Sequence, residues 1–154
     1  MSQVKRKRIL NKELREGRVE KKYLAVVKGQ WLHKEKLITL NLKKNQLRSG
    51  AREVIVRPDG KESITRFKRL KGNKSLSLLE CKLITGRTHQ IRVHTSHEGH
   101  PVIGDKKYGD SDTNNLYRKK GIKRMLLHAI SINFPAINLS CSAKEPDIFT
   151  EIIN

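Results

Sequence analysis

From Tyr23 to Ile84 short β-type segments follow one another, separated by turn residues, so the middle of the chain is committed to a sheet. Tyr23–Val27 is a compact apolar run rich in β-branched residues, the pattern of a strand buried on both faces. Leu37–Leu42 gives a second strand and Glu53–Arg57 a third, closed by the turn Pro58-Asp59-Gly60. Ser63–Leu70 alternates, with Ile64, Arg66 and Lys68 on one face and Thr65 and Phe67 on the other. Gly72-Asn73 then turns the chain into a strand over Leu76–Ile84. Gly86 ends this regime. His89–His97 has a helical pattern that offers Ile91 and Val93 to a core, with Gly99 just past its end. Gly104–Asp112 reads as a polar loop, Met125–Phe134 as a strand stopped by Pro135, and Asn138–Cys141 as a last short strand. A basic helix over Val4–Gly17, with Gly17 as its cap, opens the chain, and a helix after Pro146 runs through Ile153. These elements predict one mixed α+β domain over residues 1–154, a largely antiparallel sheet with flanking helices.

A length of 154 residues suffices for one core. No stretch approaches the roughly 20 apolar residues of a membrane-spanning helix, and the mean hydropathy of −0.64 agrees. Lys5-Arg6-Lys7-Arg8 is not followed by the apolar run of a secretory signal, so the expected compartment is the cytoplasm. Cys81 and Cys141 lie far apart with no CxxC, which gives neither a disulfide framework nor a zinc ribbon. Both sit beside apolar residues and are expected as reduced core thiols.

Charge points to a partner. Lysine and arginine total 34 against 15 acidic residues, a net +19. Such an excess over one domain suits a polyanion, most simply nucleic acid. Residues 43–74 hold 11 of the basic residues, and Arg118, Lys119, Lys120, Lys123 and Arg124 form a second cluster. The stretch Gly86-Arg87-Thr88-His89-Gln90-Ile91-Arg92 places a glycine turn before a helix whose first turn carries polar and basic groups. Free N–H groups and the helix dipole favour an anion there. His89, His94, His97 and His100 crowd into the same region with Glu98, but their spacing matches no standard zinc pattern, so no metal is expected.

Gly86–His94, then Gly99-His100-Pro101-Val102-Ile103-Gly104-Asp105, then Tyr108-Gly109, resemble the signature of the RluA-family pseudouridine synthases. Lys22–Gly29 is similar to the family's tyrosine strand, and Arg124-Met125-Leu126-Leu127-His128-Ala129 to its later leucine-histidine-alanine strand. The resemblance implies an isomerase that converts uridine to pseudouridine in 23S rRNA without a cofactor. It implies Arg92 as the arginine that pairs with the nucleophilic aspartate, Tyr23 as the tyrosine against the base, and Leu127 as the apolar wall of the pocket. Arg87, His89 and Gln90 at the helix start are expected to contact RNA, and the basic cluster Lys119, Lys120, Lys123 and Arg124 to join them. Large-subunit rRNA, rather than DNA or membrane, is the implied partner.

One part of the pattern is missing. The family's aspartate lies in R-L-D-x-x-T-S-G upstream of the tyrosine strand, and the acids before Tyr23 are only Glu13, Glu16 and Glu20. The chain therefore reads as the C-terminal portion of a synthase catalytic domain, without an S4-type RNA-binding domain, and the upstream half becomes an expected partner. Two functions stand side by side: a synthase portion that is inactive alone, and a non-catalytic basic module that holds rRNA.

Overall fold

A computed structural model describes residues Met1–Asn154. Its centre is β1 (Glu20–Lys28), whose residues Leu24, Ala25, Val26 and Val27 are all buried. A strand apolar on both faces needs neighbours on both edges and cover on both sides. β5 (Leu76–Leu83) and β6 (Leu127–Phe134) pair with it, both antiparallel. β4 (Lys61–Gly72) extends the sheet beyond β5, followed by β2 (Glu35–Gln46) and β3 (Arg52–Val56). The four-residue β7 (Leu139–Ser142) closes the other edge. The seven strands run in the order β3-β2-β4-β5-β1-β6-β7, every pair antiparallel.

Alternation along β1 divides the core in two. Leu24 and Val26 face a lower cluster with Leu76, Leu78, Tyr117, Leu126 and Phe149. Ala25 and Val27 face an upper cluster with Trp31, Phe67, Leu79, Cys81 and Ile91. α2 (Gln90–His97) covers the upper face through Ile91, while α3 (Ser111–Lys119) and α4 (Ile148–Glu151) cover the lower face through Tyr117 and Phe149. The two helical layers are staggered. α2 lies against β2, β3 and β4 and meets β1 through Ile91, whereas the upper face is more open toward the Tyr23 end of β1 and the start of β6. There Tyr23 and Leu127 are half-buried and Ala129 is exposed. In β4, Thr65 and Phe67 turn inward as the alternation requires, and Phe67 packs its ring 5.3 Å from Trp31.

α1 (Gln3–Arg15) starts on Ser2, whose hydroxyl accepts from the Lys5 N–H, and ends at Gly17 with φ +69°. Two expectations are corrected. Residues 111–119, read in part as loop, form α3. Its Leu116 is exposed and its buried face is only Asn114 and Tyr117, so no apolar stripe announces it. The Asp110 carboxylate caps it by accepting from the Thr113 N–H at 3.1 Å. Cys141 is exposed on β7 and is no core thiol, whereas Cys81 is fully buried. No helix is long and apolar enough to cross a membrane.

Phe67→Ala should remove the ring that joins β4 to Trp31 and leave a cavity in the upper core. The expected loss is about 3–5 kcal/mol, read as a lower urea midpoint with an unchanged m-value.

Candidate active site

α2 brings the site's main cation into place. The chain enters the helix through His89, which adopts φ +53°. Gln90 is buried and braces this entry. Its Oε1 accepts from the Arg87 N–H at 2.9 Å and the Thr85 hydroxyl at 2.8 Å. Its Nε2 donates to the Ile64 carbonyl and Thr65 Oγ1. Expected to touch RNA, Gln90 instead positions the loop, and no atom of its amide is left for a ligand.

Two residues on, Arg92 meets Asp105. The guanidinium donates through Nε to Oδ2 and through Nη2 to Oδ1, both at 2.8 Å. The Asp105 side chain is wholly buried and that of Arg92 is 18% exposed. Asp105 Oδ1 also accepts from the Lys107 N–H at 3.0 Å and the Tyr108 N–H at 3.1 Å. Its carbonyl accepts from Asn114 Nδ2, and the same amide's Oδ1 accepts from the Gly104 N–H. The loop is tight enough that a Cβ on Gly109 would stand 2.0 Å from the Asp105 carbonyl oxygen. Burial alone would push the Asp105 carboxyl up. The Arg92 hydrogen bonds, with the two amides, outweigh it and hold the pKa below the ordinary carboxylate value.

The Tyr108 ring lies under the guanidinium, 5.0 Å away. Its hydroxyl accepts from the Val54 N–H at 2.8 Å and sits 2.8 Å from His89 Nδ1. Burial, then the charges of Arg92 and Lys107, keeps the His89 imidazole less basic than usual. The clustered histidines turn to separate partners: His94 Nε2 to the Ser63 hydroxyl at 2.7 Å and His100 Nδ1 to the Lys28 carbonyl at 2.8 Å. Asp105 and Tyr108 carry the site's geometry, yet sequence reasoning gave neither a role. The available signal was their place in the same long motif as Arg92.

Tyr23 and Leu127 lie on adjacent strands, where Tyr23 pairs with Ala129 and Ala25 with Leu127. Both pack against the upper cluster, which also contains Ile91, the residue before Arg92. A cavity of about 360 Å³ beside Tyr23 is lined by β1, β6 and β7 and includes neither Arg92 nor Leu127. The hydrogen bonds of Arg92 run to Asp105.

The expected RNA contacts fall in two places. Arg87 is exposed beside α2, with Nε donating to the Glu62 carbonyl at 3.0 Å. Lys119, Lys120, Lys123 and Arg124 belong to the end of α3 and the segment after it, and α3 packs on the lower face. Lys119 and Lys123 are exposed. Lys120 lies over the Tyr117 ring. Arg124 donates to the carbonyls of Met125 and Leu127 and lies over the Phe149 ring, so it already supports its own loop.

Residues 5–97 match the RNA pseudouridylate synthase family. Ribosomal large subunit pseudouridine synthase C of Haemophilus influenzae is 46% identical over 127 residues, covering 82% of this chain and 39% of the relative. The protein of the same name from Escherichia coli K12 is 43% identical over 129 residues, covering 82% and 40%. Human RNA Pseudouridylate Synthase Domain Containing 1 superposes with a TM-score of 0.74 at 29% identity, covering 94% of this chain and 61% of that structure. Human RNA Pseudouridylate Synthase Domain Containing 4, at 23% identity and a TM-score of 0.72, shares the fold. The chain belongs to the RNA pseudouridylate synthase family. It spans about two fifths of the length of the curated relatives it matches.

Asp105→Asn should leave the Arg92 cation facing a neutral amide. The expected cost is about 3 kcal/mol at pH 7, the lower end for a broken buried pair because Arg92 keeps some water contact. Folding lowers the Asp105 pKa. Its stabilisation is therefore complete above the unfolded value near 4 and fades as pH falls through the lower folded value. Urea melts between about pH 5 and pH 2 should show a steeper acid limb for the wild type than for the Asn variant.

Proposed function

We propose that this chain contributes the base pocket and part of the RNA-binding surface to a uridine-to-pseudouridine isomerase. Its target is large-subunit rRNA in the cytoplasm. The ribosomal large subunit pseudouridine synthases that it resembles support the reaction and the RNA class. The observation that carries the chemical reading is the half-engaged guanidinium of Arg92. Asp105 holds its Nε–Nη2 edge, while Nη1 makes no hydrogen bond. A guanidinium held this way can present its other edge to a second carboxylate and keep it ionised.

The isomerisation breaks the bond from C1′ to N1 of uracil, turns the base, and joins C1′ to carbon 5, from which a proton is lost. Extruding the base costs a few kcal/mol. Tyr23, half-buried against the upper cluster, stacks its ring on the flipped base in this reading, with Leu127 as the apolar wall. The nucleophilic carboxylate comes from a separate segment, the upstream half of a synthase. Asp105 is unsuited to that role. It is buried, bound to Arg92 through both oxygens and tied to two backbone amides, so it is not accessible to a sugar carbon. The same fact favours a second reading for the chain by itself, a basic module that holds rRNA without chemistry.

Pseudouridine mapping on large-subunit rRNA, in cells lacking the corresponding enzyme, decides between them. The chain alone should give no conversion. Co-expression with a segment carrying R-L-D-x-x-T-S-G should restore it. Arg92→Ala in that pair should lower the rate at least about 100-fold, the scale of losing one preorganised electrostatic group. Full conversion by the chain alone would refute the need for a second carboxylate, and no conversion with any upstream segment would leave the binding module.

A further inference from the structure

We propose that the cleft between β2, the Pro58–Lys61 turn and the Gly86–Thr88 loop is a phosphate-binding site for the RNA strand flanking the target uridine. This rests on the reading of the chain as an RNA-modifying protein, and it assigns the backbone contact that reading leaves open. The cleft encloses about 460 Å³ and is lined by Lys43, Lys44, Lys61 and Arg87, with Asp59 its one carboxylate.

The charges in it are unevenly matched. Asp59 pairs with Lys43 and, at 3.0 Å, with Arg57, so its charge is already satisfied by two cations. Lys44, Lys61 and Arg87 take part in no ion pair. Three unmatched cations around one concavity repel one another, and a bridging polyanion removes that repulsion while releasing its own counterions.

The cleft is also built. Its floor is Leu42 and Val54, both buried and packed on Val93 of α2. Gly60 lets the turn lie directly on β2: a Cβ there would stand 2.6 Å from the Leu42 carbonyl carbon. Arg87 is fixed at two points, by its N–H to Gln90 and its Nε to the Glu62 carbonyl, which leaves both terminal nitrogens for a ligand. The wall is continuous with the candidate active site, because the Val54 N–H bonds the Tyr108 hydroxyl beneath Arg92. A strand whose base enters beside Arg92 therefore has its neighbouring phosphates within the reach of these cations. Arg52 and Lys107 carry the basic surface on, with Lys107 Nζ donating to the Arg52 carbonyl.

The test uses the full chain and a fluorescein-labelled hairpin of large-subunit rRNA, with anisotropy followed over a salt series. Two triple variants carry the same charge change. One is Lys44→Glu/Lys61→Glu/Arg87→Glu, and the other is Arg66→Glu/Lys68→Glu/Lys74→Glu, of which Arg66 and Lys68 lie on the opposite face of β4. The cleft variant should lose at least about tenfold more affinity than the control, and its log–log salt slope should fall by about 2–3. Equal losses in the two variants, or an unchanged slope in the cleft variant, would overturn the site, as would a wild-type chain that does not bind the hairpin. Lys44→Gln/Lys61→Gln/Arg87→Gln, whose fold is checked by circular dichroism, should show the same slope change without introduced negative charge. Pseudouridine mapping is scored separately. Cleft-dependent binding without any conversion would sink the isomerase reading and leave the phosphate site standing.

Discussion

A carboxylate removed from water is tolerable only when its charge is paired and hydrogen-bonded, and Asp105 meets that condition with four donors from α2 and its own loop. The guanidinium of Arg92 comes from α2, the amides of Lys107 and Tyr108 from its own loop, and Asn114 of α3 fixes its carbonyl. The pair joins a helix on the upper face to one that packs on the lower. Tyr108 links it to β3 through the Val54 amide. Without this ion pair, the far strands of the sheet, the glycine loop and α3 would lose their common point of attachment.

The staggered helices explain why such a basic chain can have a pocket at all. α2 covers the sheet where β2, β3 and β4 need cover, and the lower helices serve β5, β1 and β6. The upper face is more open only toward the Tyr23 end of β1 and the start of β6, where Tyr23 and Leu127 are half-buried. Cations gather instead in a separate cleft at β2, the Pro58–Lys61 turn and Arg87, beyond β4 and β5, around a floor of Leu42 and Val54. An apolar floor with a basic rim suits a ligand that is flat and apolar at one end and anionic at the other, as a nucleotide is.

Much of this was legible in the residues. Alternation in Ser63–Leu70 put Thr65 and Phe67 together on one face, which proves to be the buried one, and the compact apolar run at Tyr23–Val27 marked a buried strand. The switch at Gly86 marked the start of the α2 region. Sequence alone could not give α3, whose stability comes from the Asp110 cap and one buried tyrosine rather than from periodicity. It also could not show that Gln90 is internal, since a glutamine beside arginine and histidine looks like a ligand-binding group until its four partners are seen. The Arg92–Asp105 pair was hidden for a related reason. The partners stand 13 residues apart with a helix end and a turn between them, beyond any local spacing rule.

Gly109 shows how narrowly that pair is defined. Its backbone passes so close to the Asp105 carbonyl that even one methyl group would collide with it. An alanine there carries no charge, donates nothing from its side chain and alters no chemistry. It would nonetheless turn the peptide that carries the carboxylate and move the acceptor away from the guanidinium. In this loop the tolerance for mutation is set by crowding of the main chain, and a change too small to matter on the surface would reach the site's electrostatics through geometry alone.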